Sequence, residues 1–212
     1  MKPIPFAGSA LGQYRHVCAF FRSRDEEYGT LLPFICDGIR QGERAFHVLG
    51  PAYREEHLDQ LRKAGVDVDE TQRRRQLEVM TPGETYLRGG HFDKDAMLAL
   101  IESTLQAGID LGFPLTRIIA HAESVLEDWP SMNAWVEYEM KLNEVLPRFE
   151  DPVICTYDAN LLNGALAFDI LRTHPVAVIG GSLHINPFFT RPSEFLEDMA
   201  ARRDRPDRPY RA

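Results

Sequence analysis

The feature that most constrains the fold is a strand, helix and strand pattern late in the chain. Residues 152–158, PVICTYD, are rich in β-branched side chains, and residues 172–181, RTHPVAVIGG, contain a second apolar run that ends in two glycines. Both runs are typical of buried strands, and the segment between them predicts a helix. Such a unit predicts a parallel crossover, and parallel sheets bind ligands at the carboxyl ends of their strands. Tyr157, Asp158 and the turn after Gly181 are therefore predicted to lie on a binding edge.

The same alternation of strand and helix signals occurs along most of the chain. Four more apolar runs have strand length: residues 16–21, 44–49, 77–81 and 115–120. Amphipathic segments between these runs predict helices. About five repeats of this pattern indicate an α/β fold, a three-layer domain with a mostly parallel sheet.

The length and composition predict one folded domain with short additions at its ends. At 212 residues and 44% hydrophobic, the chain can bury one sizeable core. We expect an irregular N-terminal lead over residues 1–14 and the sheet domain over residues 15–189. Residues 190–212 predict a short helix, from about residue 193 to residue 201, and a charged, disordered tail.

Charge and cysteine usage exclude several classes of protein. A net charge of −8 argues against a partner that is nucleic acid, because affinity for phosphate backbones comes largely from clustered Lys and Arg. Cys18, Cys36 and Cys155 are odd in number and widely spaced, which favours buried, reduced thiols over a disulfide framework. No signal peptide and no apolar run of membrane-spanning length is evident. We therefore expect a cytoplasmic protein without a membrane partner.

The turn after the first predicted sheet strand is incompatible with nucleotide hydrolysis. Residues 21–26, FRSRDE, contain neither the glycines nor the lysine that cradle phosphates, and Asp25 and Glu26 would repel a triphosphate. Gly180 and Gly181 follow a strand but no helix follows them, so they do not form a dinucleotide-binding fingerprint. We expect no cofactor and no catalytic residue.

Polar and aromatic residues at predicted strand ends and loops are the candidates for ligand binding. They are His16, Cys18, His121, Glu123, Trp129, Tyr157, Asp158 and His184. The sequence leaves two alternatives open for His16, a ligand contact or a hydrogen-bonded histidine at a strand end. Trp129 fits either the core or the wall of a pocket for a small apolar molecule.

A metal-dependent enzyme is the main alternative function at this stage. His121, Glu123, Asp158 and His184 supply imidazole and carboxylate groups, which are ligands of Zn²⁺ and non-haem iron. Their spacing matches no metal-binding motif. Cys155 is predicted to be an inert thiol, because burial beside apolar residues raises its pKa.

Several short motifs in a fixed order resemble the MEDS domain, the methanogen/methylotroph DcmR sensory domain. The matching segments are HVC at residues 16–18, DEEY at 25–28, LLPF at 31–34, GER at 42–44, ETY at 84–86, PVIC at 152–155, RTHP at 172–175, IGG at 179–181 and NPF at 186–188. The resemblance implies a RecA/KaiC-like core without a phosphate-binding loop. It also implies a sensor of small hydrocarbon derivatives, of the kind found attached to helix-turn-helix or histidine-kinase modules. The matching polar positions are His16, Glu123, Tyr157, Asp158 and His174.

Two departures from the family pattern shape the functional hypothesis. Residues 120–124 read AHAES, where many relatives carry a sequence like Gly-Glu-Met-Glu-Trp, and we expect only a short helix and a tail, and no output domain, after residue 189. We therefore predict a stand-alone, non-enzymatic sensory domain that binds a small organic ligand and regulates a separate histidine kinase or transcription regulator. A scaffold that mediates homo-oligomer assembly is a third alternative.

Overall fold

The alternating pattern forms a seven-stranded sheet in the computed structural model, which describes residues 2–87, 92–122 and 132–203. The strands are β1 Ile4–Phe6, β2 Ser9–Leu11, β3 His16–Phe21, β4 Arg44–Val48, β5 Leu77–Met80, β6 Thr116–His121, β7 Val153–Asp158, β8 Val176–Ile179 and β9 Ser182–Ile185. The helices are α1 Arg24–Arg40, α2 Arg54–Lys63, α3 Val68–Arg73, α4 Lys94–Asp110, α5 Met132–Val145, α6 Gly164–Thr173 and α7 Pro192–Arg203.

The sheet has the strand order β5-β4-β6-β7-β3-β8-β9. The first six of these strands run parallel, and β9 pairs antiparallel with β8 at the edge. The turn into β9 needs left-handed backbone at Gly180 and Gly181, with φ values of 57° and 72°. The predicted α/β class with a mostly parallel sheet is confirmed.

Helices cover both faces of the sheet and make the three layers that the sequence predicts. One hydrophobic cluster joins the sheet to α1, α2 and α3, through residues such as Leu31 and Leu61. The other cluster joins the opposite face to α4, α5, α6 and α7, through residues such as Trp135 and Ile170. Strands β3 and β7 lie at the centre of the sheet, so nearly all of their side chains are buried.

The N-terminal lead differs from our prediction of an irregular segment. Residues 4–11 form the hairpin β1–β2, and Ile4, Phe6 and Leu11 are buried against α1 and the sheet. The sequence hides this hairpin because each strand has only three residues and the first contains Pro5, which is unfavourable in strands. The short helix α3, which is mostly polar, was also not predicted.

The predicted C-terminal helix corresponds to α7, which includes the first two residues of the predicted tail, Arg202 and Arg203; the rest of that tail lies outside the described residues. Where the structure describes the chain, no helix combines the length and the apolar character needed to cross a membrane.

Candidate functional site

A crevice lies at the carboxyl ends of β3 and β7 because the helices that follow these two strands pack on opposite faces of the sheet. The helix after β3 is α1, which packs on one face of the sheet, whereas the helix after β7 is α6, which packs on the other face. Neighbouring parallel strands with diverging connections open a crevice at their carboxyl ends. A pocket of about 480 Å³ lies there. We call it the edge pocket, and its main lining residues are Phe21, Arg24, Glu27, Tyr53, Asp158 and Leu161.

Asp158 lies at this pocket, as the sequence predicted. It ends β7 beside Phe21 of β3. The backbone N–H and the side-chain amide of Asn160 both donate to Asp158 Oδ1 at 2.8 Å. These two bonds fix the carboxylate at the mouth of the crevice.

The turn between β3 and α1 satisfies two of its own backbone donors with its own side chains. Ser23 is the N-cap of α1, and its Oγ accepts a hydrogen bond of 3.2 Å from Glu26 N. The Glu26 carboxylate accepts one of 2.9 Å from Arg22 N. In a phosphate-binding loop these N–H groups would face the ligand. Here the chain's own side chains occupy them, which agrees with the predicted loss of the phosphate-binding loop.

Arg24 and Glu27 form one wall of the edge pocket. The Arg24 guanidinium donates to Glu27 at 2.6 Å and lies over the Tyr53 ring, 4.0 Å from its centroid. Burial raises the pKa of the Glu27 carboxyl, and the charge of Arg24 offsets only part of that effect. The positive charge in this wall is therefore already paired within the protein.

A buried histidine group lies behind this wall. His121, at the end of β6, places its Nδ1 3.3 Å from Glu27 Oε1. His47 Nδ1 and His57 Nε2 are 2.9 Å apart. Burial lowers the pKa of His57 to about 3, and burial with the neighbouring imidazoles lowers the pKa of His47 well below its usual value. His121 therefore lies beneath the edge pocket, and its histidine neighbours were not predicted from the sequence.

A second polar site lies near the amino ends of β3 and β8, deep in the other face of the sheet. It contains His16, Glu139, Cys155 and His174, which we call the Glu139 cluster. His16 Nε2 is 3.1 Å from Glu139 Oε2, and His174 Nε2 is 3.4 Å from the same oxygen. Cys155 Sγ donates to this oxygen at 3.4 Å. Thus His16 contacts a buried carboxylate, which supports the hydrogen-bonding alternative for this residue.

Tyr157 and Trp135 complete the surroundings of Glu139. The Tyr157 hydroxyl donates to Glu139 Oε1 at 2.6 Å, and the Trp135 indole N–H donates to Tyr157 at 3.2 Å. Burial favours the neutral form of Glu139, but the charges of His174 and His16 and the hydrogen bond of His16 outweigh it and lower the carboxyl pKa. Burial beside Glu139 raises the pKa of the Cys155 thiol, in agreement with the predicted inert thiol.

Sequence reasoning missed Glu139 and Asn143, although a signal for them exists. The two residues are four apart on α5 and therefore share one helix face, while Cys155 and Tyr157 share one face of β7. Cys18 is a neighbour of Cys155 in the sheet, but its Sγ faces the Val176 carbonyl oxygen at 3.7 Å. Cys18 thus lies in the core and does not line the edge pocket.

The four residues of the metal-enzyme alternative do not converge in the described parts of the chain. His184 is exposed on the edge strand β9, opposite Ala177, and β3 and β8 separate it from Asp158 on β7. His121 is buried beneath Glu27. The predicted residues Glu123 and Trp129 lie outside the described residues. Among described residues, the group whose atoms are close enough to hold a metal ion is the Glu139 cluster.

Comparisons with known proteins agree with this architecture. The model of one family, described as MEDS, the MEthanogen/methylotroph, DcmR Sensory domain, matches residues 15–175. No curated protein matches the chain. One similar solved structure is the KaiC-like protein PH0186 from the hyperthermophilic archaeon Pyrococcus horikoshii OT3, with 15% sequence identity and a TM-score of 0.53. The alignment covers 82% of this chain and 71% of that chain, and at this identity it shows the fold alone.

Proposed function

Because the chain belongs to the MEDS family of sensory domains, we propose that it binds a small organic ligand in the edge pocket and signals its presence to a separate partner. The observation that carries this proposal is the open pocket of about 480 Å³ at the divergence of β3 and β7. In open parallel sheets this position is the usual place for a ligand.

The lining of the edge pocket supports an uncharged or cationic ligand. Phe21 and Leu161 offer apolar surface, and the Asp158 carboxylate offers a hydrogen-bond acceptor. The guanidinium of Arg24 is already paired with Glu27. A phosphate or carboxylate ligand would therefore meet little unpaired positive charge. Small hydrocarbon derivatives such as short-chain alcohols, amines and haloalkanes fit this chemistry.

The position of the pocket suggests how binding becomes a signal. The pocket contacts Arg24 and Glu27 on α1, which packs on one face, and Asp158 and Leu161, which lead to α6 on the other face. A ligand that touches both sides favours one arrangement of the two helices over others. A histidine kinase or a transcription regulator then reads this arrangement. In this proposal the ligand leaves chemically unchanged, because the protein acts without catalysis.

Filling the pocket tests the proposal directly. Leu161 is 47% exposed at the edge pocket, and Leu111 is 42% exposed just after α4, towards the opposite edge of the sheet. Thermal unfolding is measured for wild type, Leu161→Trp and Leu111→Trp against a panel of short-chain alcohols, amines and haloalkanes. We expect at least one compound to stabilise wild type and Leu111→Trp but not Leu161→Trp.

Two outcomes contradict the proposal. The pocket is wrong if a stabilising compound raises the melting temperature of all three proteins equally. The sensory role fails if no compound stabilises the folded wild type. Nuclear magnetic resonance of the bound compound, before and after incubation, distinguishes a sensor from an enzyme, since a sensor returns the compound unaltered.

A further inference from the structure

Four side chains with metal-binding atoms meet at the Glu139 cluster, and none of the four lines the edge pocket. His16 begins β3, Cys155 lies in β7, His174 precedes β8 and Glu139 lies on α5. Their nitrogen, sulfur and oxygen atoms all lie within 4.8 Å of one another, and all four residues are buried. Residues so distant in sequence come together only because three strands and a helix place them there.

Four of the six distances between these atoms are close to those of a tetrahedral metal site. In a tetrahedron the ligand atoms are about 1.6 times the metal–ligand distance apart, so zinc–ligand distances of about 2.0–2.3 Å require about 3.3–3.8 Å between ligand atoms. Glu139 Oε2 lies 3.1 Å from His16 Nε2, 3.4 Å from His174 Nε2 and 3.4 Å from Cys155 Sγ. Cys155 Sγ lies 3.7 Å from His16 Nε2.

The hydrogen bonds behind the two histidines fix the ring nitrogen that faces the cluster. The side-chain amide nitrogen of Asn143 donates to the Thr173 carbonyl at 2.8 Å, so its Oδ1 accepts from His16 Nδ1 at 3.1 Å. His174 Nδ1 donates to the Ile170 carbonyl at 2.8 Å. In neutral imidazoles both Nε2 atoms then carry lone pairs. Metal-binding histidines are commonly oriented by such bonds from the other ring nitrogen.

These two lone pairs point at Glu139 Oε2, which is also rich in electrons. The repulsion is relieved only if a positive charge lies between the imidazole nitrogens and the carboxylate oxygen. Among the described residues, His174 Nε2 makes no hydrogen bond, although it is fully buried and aimed at Glu139 Oε2. Protonating both rings would place two buried cations with their centroids 4.0 Å apart. One proton can therefore satisfy only part of the cluster.

We propose that His16, Glu139, Cys155 and His174 bind one divalent transition metal ion of the zinc class. A thiolate, a carboxylate and two neutral imidazoles around a divalent cation give a neutral buried site, since one charge of +2 balances two charges of −1. This mixed nitrogen, sulfur and oxygen set suits Zn²⁺ and disfavours Mg²⁺ and Ca²⁺, which take oxygen ligands. Binding releases the thiol proton of Cys155 to solvent.

The surroundings bring a cavity close to the cluster and support its ligands. A cavity of about 520 Å³ lies near the amino ends of the strands, whereas the edge pocket lies at their carboxyl ends. His16 and Asn143 are among the residues that line this cavity. Tyr157 holds Glu139 Oε1, which leaves Oε2 for the ion. The ion would connect β3, β7, α5 and the start of β8, so it would stabilise the central strands that also form the edge pocket.

Cobalt titration of the metal-free full chain tests the site. Tetrahedral Co²⁺ with a thiolate ligand gives strong visible bands and a thiolate-to-cobalt charge-transfer band in the near ultraviolet. We expect both bands at one Co²⁺ per chain and their loss when Zn²⁺ is added. Cys155→Ser should lose the charge-transfer band, whereas Cys18→Ser should keep it. Cys18 is a matched control because it is buried beside Cys155 on the neighbouring strand.

Three results overturn the proposal. The first is that the folded wild type gives no cobalt bands. The second is that Cys155→Ser keeps the charge-transfer band, and the third is that folded Cys18→Ser loses it. X-ray absorption of zinc-loaded wild type keeps the test decisive when the Cys155 variant does not fold. A zinc ion bound by one sulfur atom and three nitrogen or oxygen atoms supports the site. A zinc ion without a bound sulfur atom refutes it.

Discussion

Tyr157 donates its hydroxyl hydrogen to Glu139, with 2.6 Å between the two oxygens. This bond connects the two candidate sites through one strand. Tyr157 anchors the buried carboxylate of the Glu139 cluster, and the next residue, Asp158, lines the edge pocket. Tyr157 itself also lines the edge pocket, so this one side chain belongs to both candidate sites.

Removing the Tyr157 hydroxyl should destabilise the protein. Tyr157→Phe leaves both Glu139 Oε1 and the Trp135 indole N–H without this partner, and an unsatisfied buried polar group costs about 1–3 kcal/mol. Tyr138→Phe is the matched control, because the Tyr138 hydroxyl is buried and has no hydrogen bond among the described residues. We expect Tyr138→Phe to be neutral or stabilising in urea unfolding. Equal losses for both variants would contradict this assignment.

Two glycines of α1 should respond in opposite directions to alanine. A Cβ on Gly38 would lie 2.6 Å from Arg117 Nε, and Arg117 cannot move away because it is buried and bonded to Glu43 and the Phe34 carbonyl. Gly38→Ala should cost about 1–3 kcal/mol. A Cβ on Gly29 meets nothing within 4 Å, so Gly29→Ala should stabilise the helix by about 0.5–1 kcal/mol. Thermal unfolding of the two variants tests the sign of each effect.

Nucleotides should not stabilise this protein, despite its KaiC-like fold. The N–H groups of Arg22 and Glu26 already donate to Glu26 and Ser23, and Arg24 is paired with Glu27. A triphosphate would find two of the N–H groups of this turn already bonded and the guanidinium groups of Arg22 and Arg24 already paired with Glu26 and Glu27. We expect no change in melting temperature with ATP, with or without Mg²⁺. A rise that increases with ATP concentration would show that the turn rearranges to bind phosphate.

Much of the fold was predictable because the central strands are continuous apolar runs. The β3, β7 and β8 segments have few polar residues, and buried parallel strands require this pattern. The hairpin β1–β2 and the helix α3 were missed because each element is too short to show a clear period. The hairpin forms because it packs on α1 and the sheet, and α3 forms because it packs on α2 and β5; local sequence does not reveal either contact.

The two candidate sites differed in how far the sequence revealed them. The edge pocket was predictable, since Asp158 follows a parallel strand and the carboxyl edge of such a sheet is the place for ligands. The only sequence signal for the Glu139 cluster is the helix face that Glu139 shares with Asn143, because Glu139 lies 123 residues from His16 along the chain. On a helix a glutamate usually indicates a solvent-exposed face. Only the packing of α5 across the sheet buries this one.

The buried pair His47 and His57 should make stability fall in acid. The pKa of His57 is about 3 in the folded protein and about 6.5 when unfolded, so between these values only the unfolded chain binds the proton. The contribution of His57 to the free energy of unfolding is fully present above pH 6.5. It decreases by about 1.4 kcal/mol for each pH unit between pH 6.5 and pH 3. His57→Gln should reduce the change of the free energy of urea unfolding with pH. The raised pKa of nearby Glu27 makes stability rise in acid, but this effect is the same in wild type and variant. The control is His184→Gln, which replaces an exposed histidine. This assignment is refuted if His184→Gln changes the pH dependence of the free energy of unfolding and His57→Gln does not.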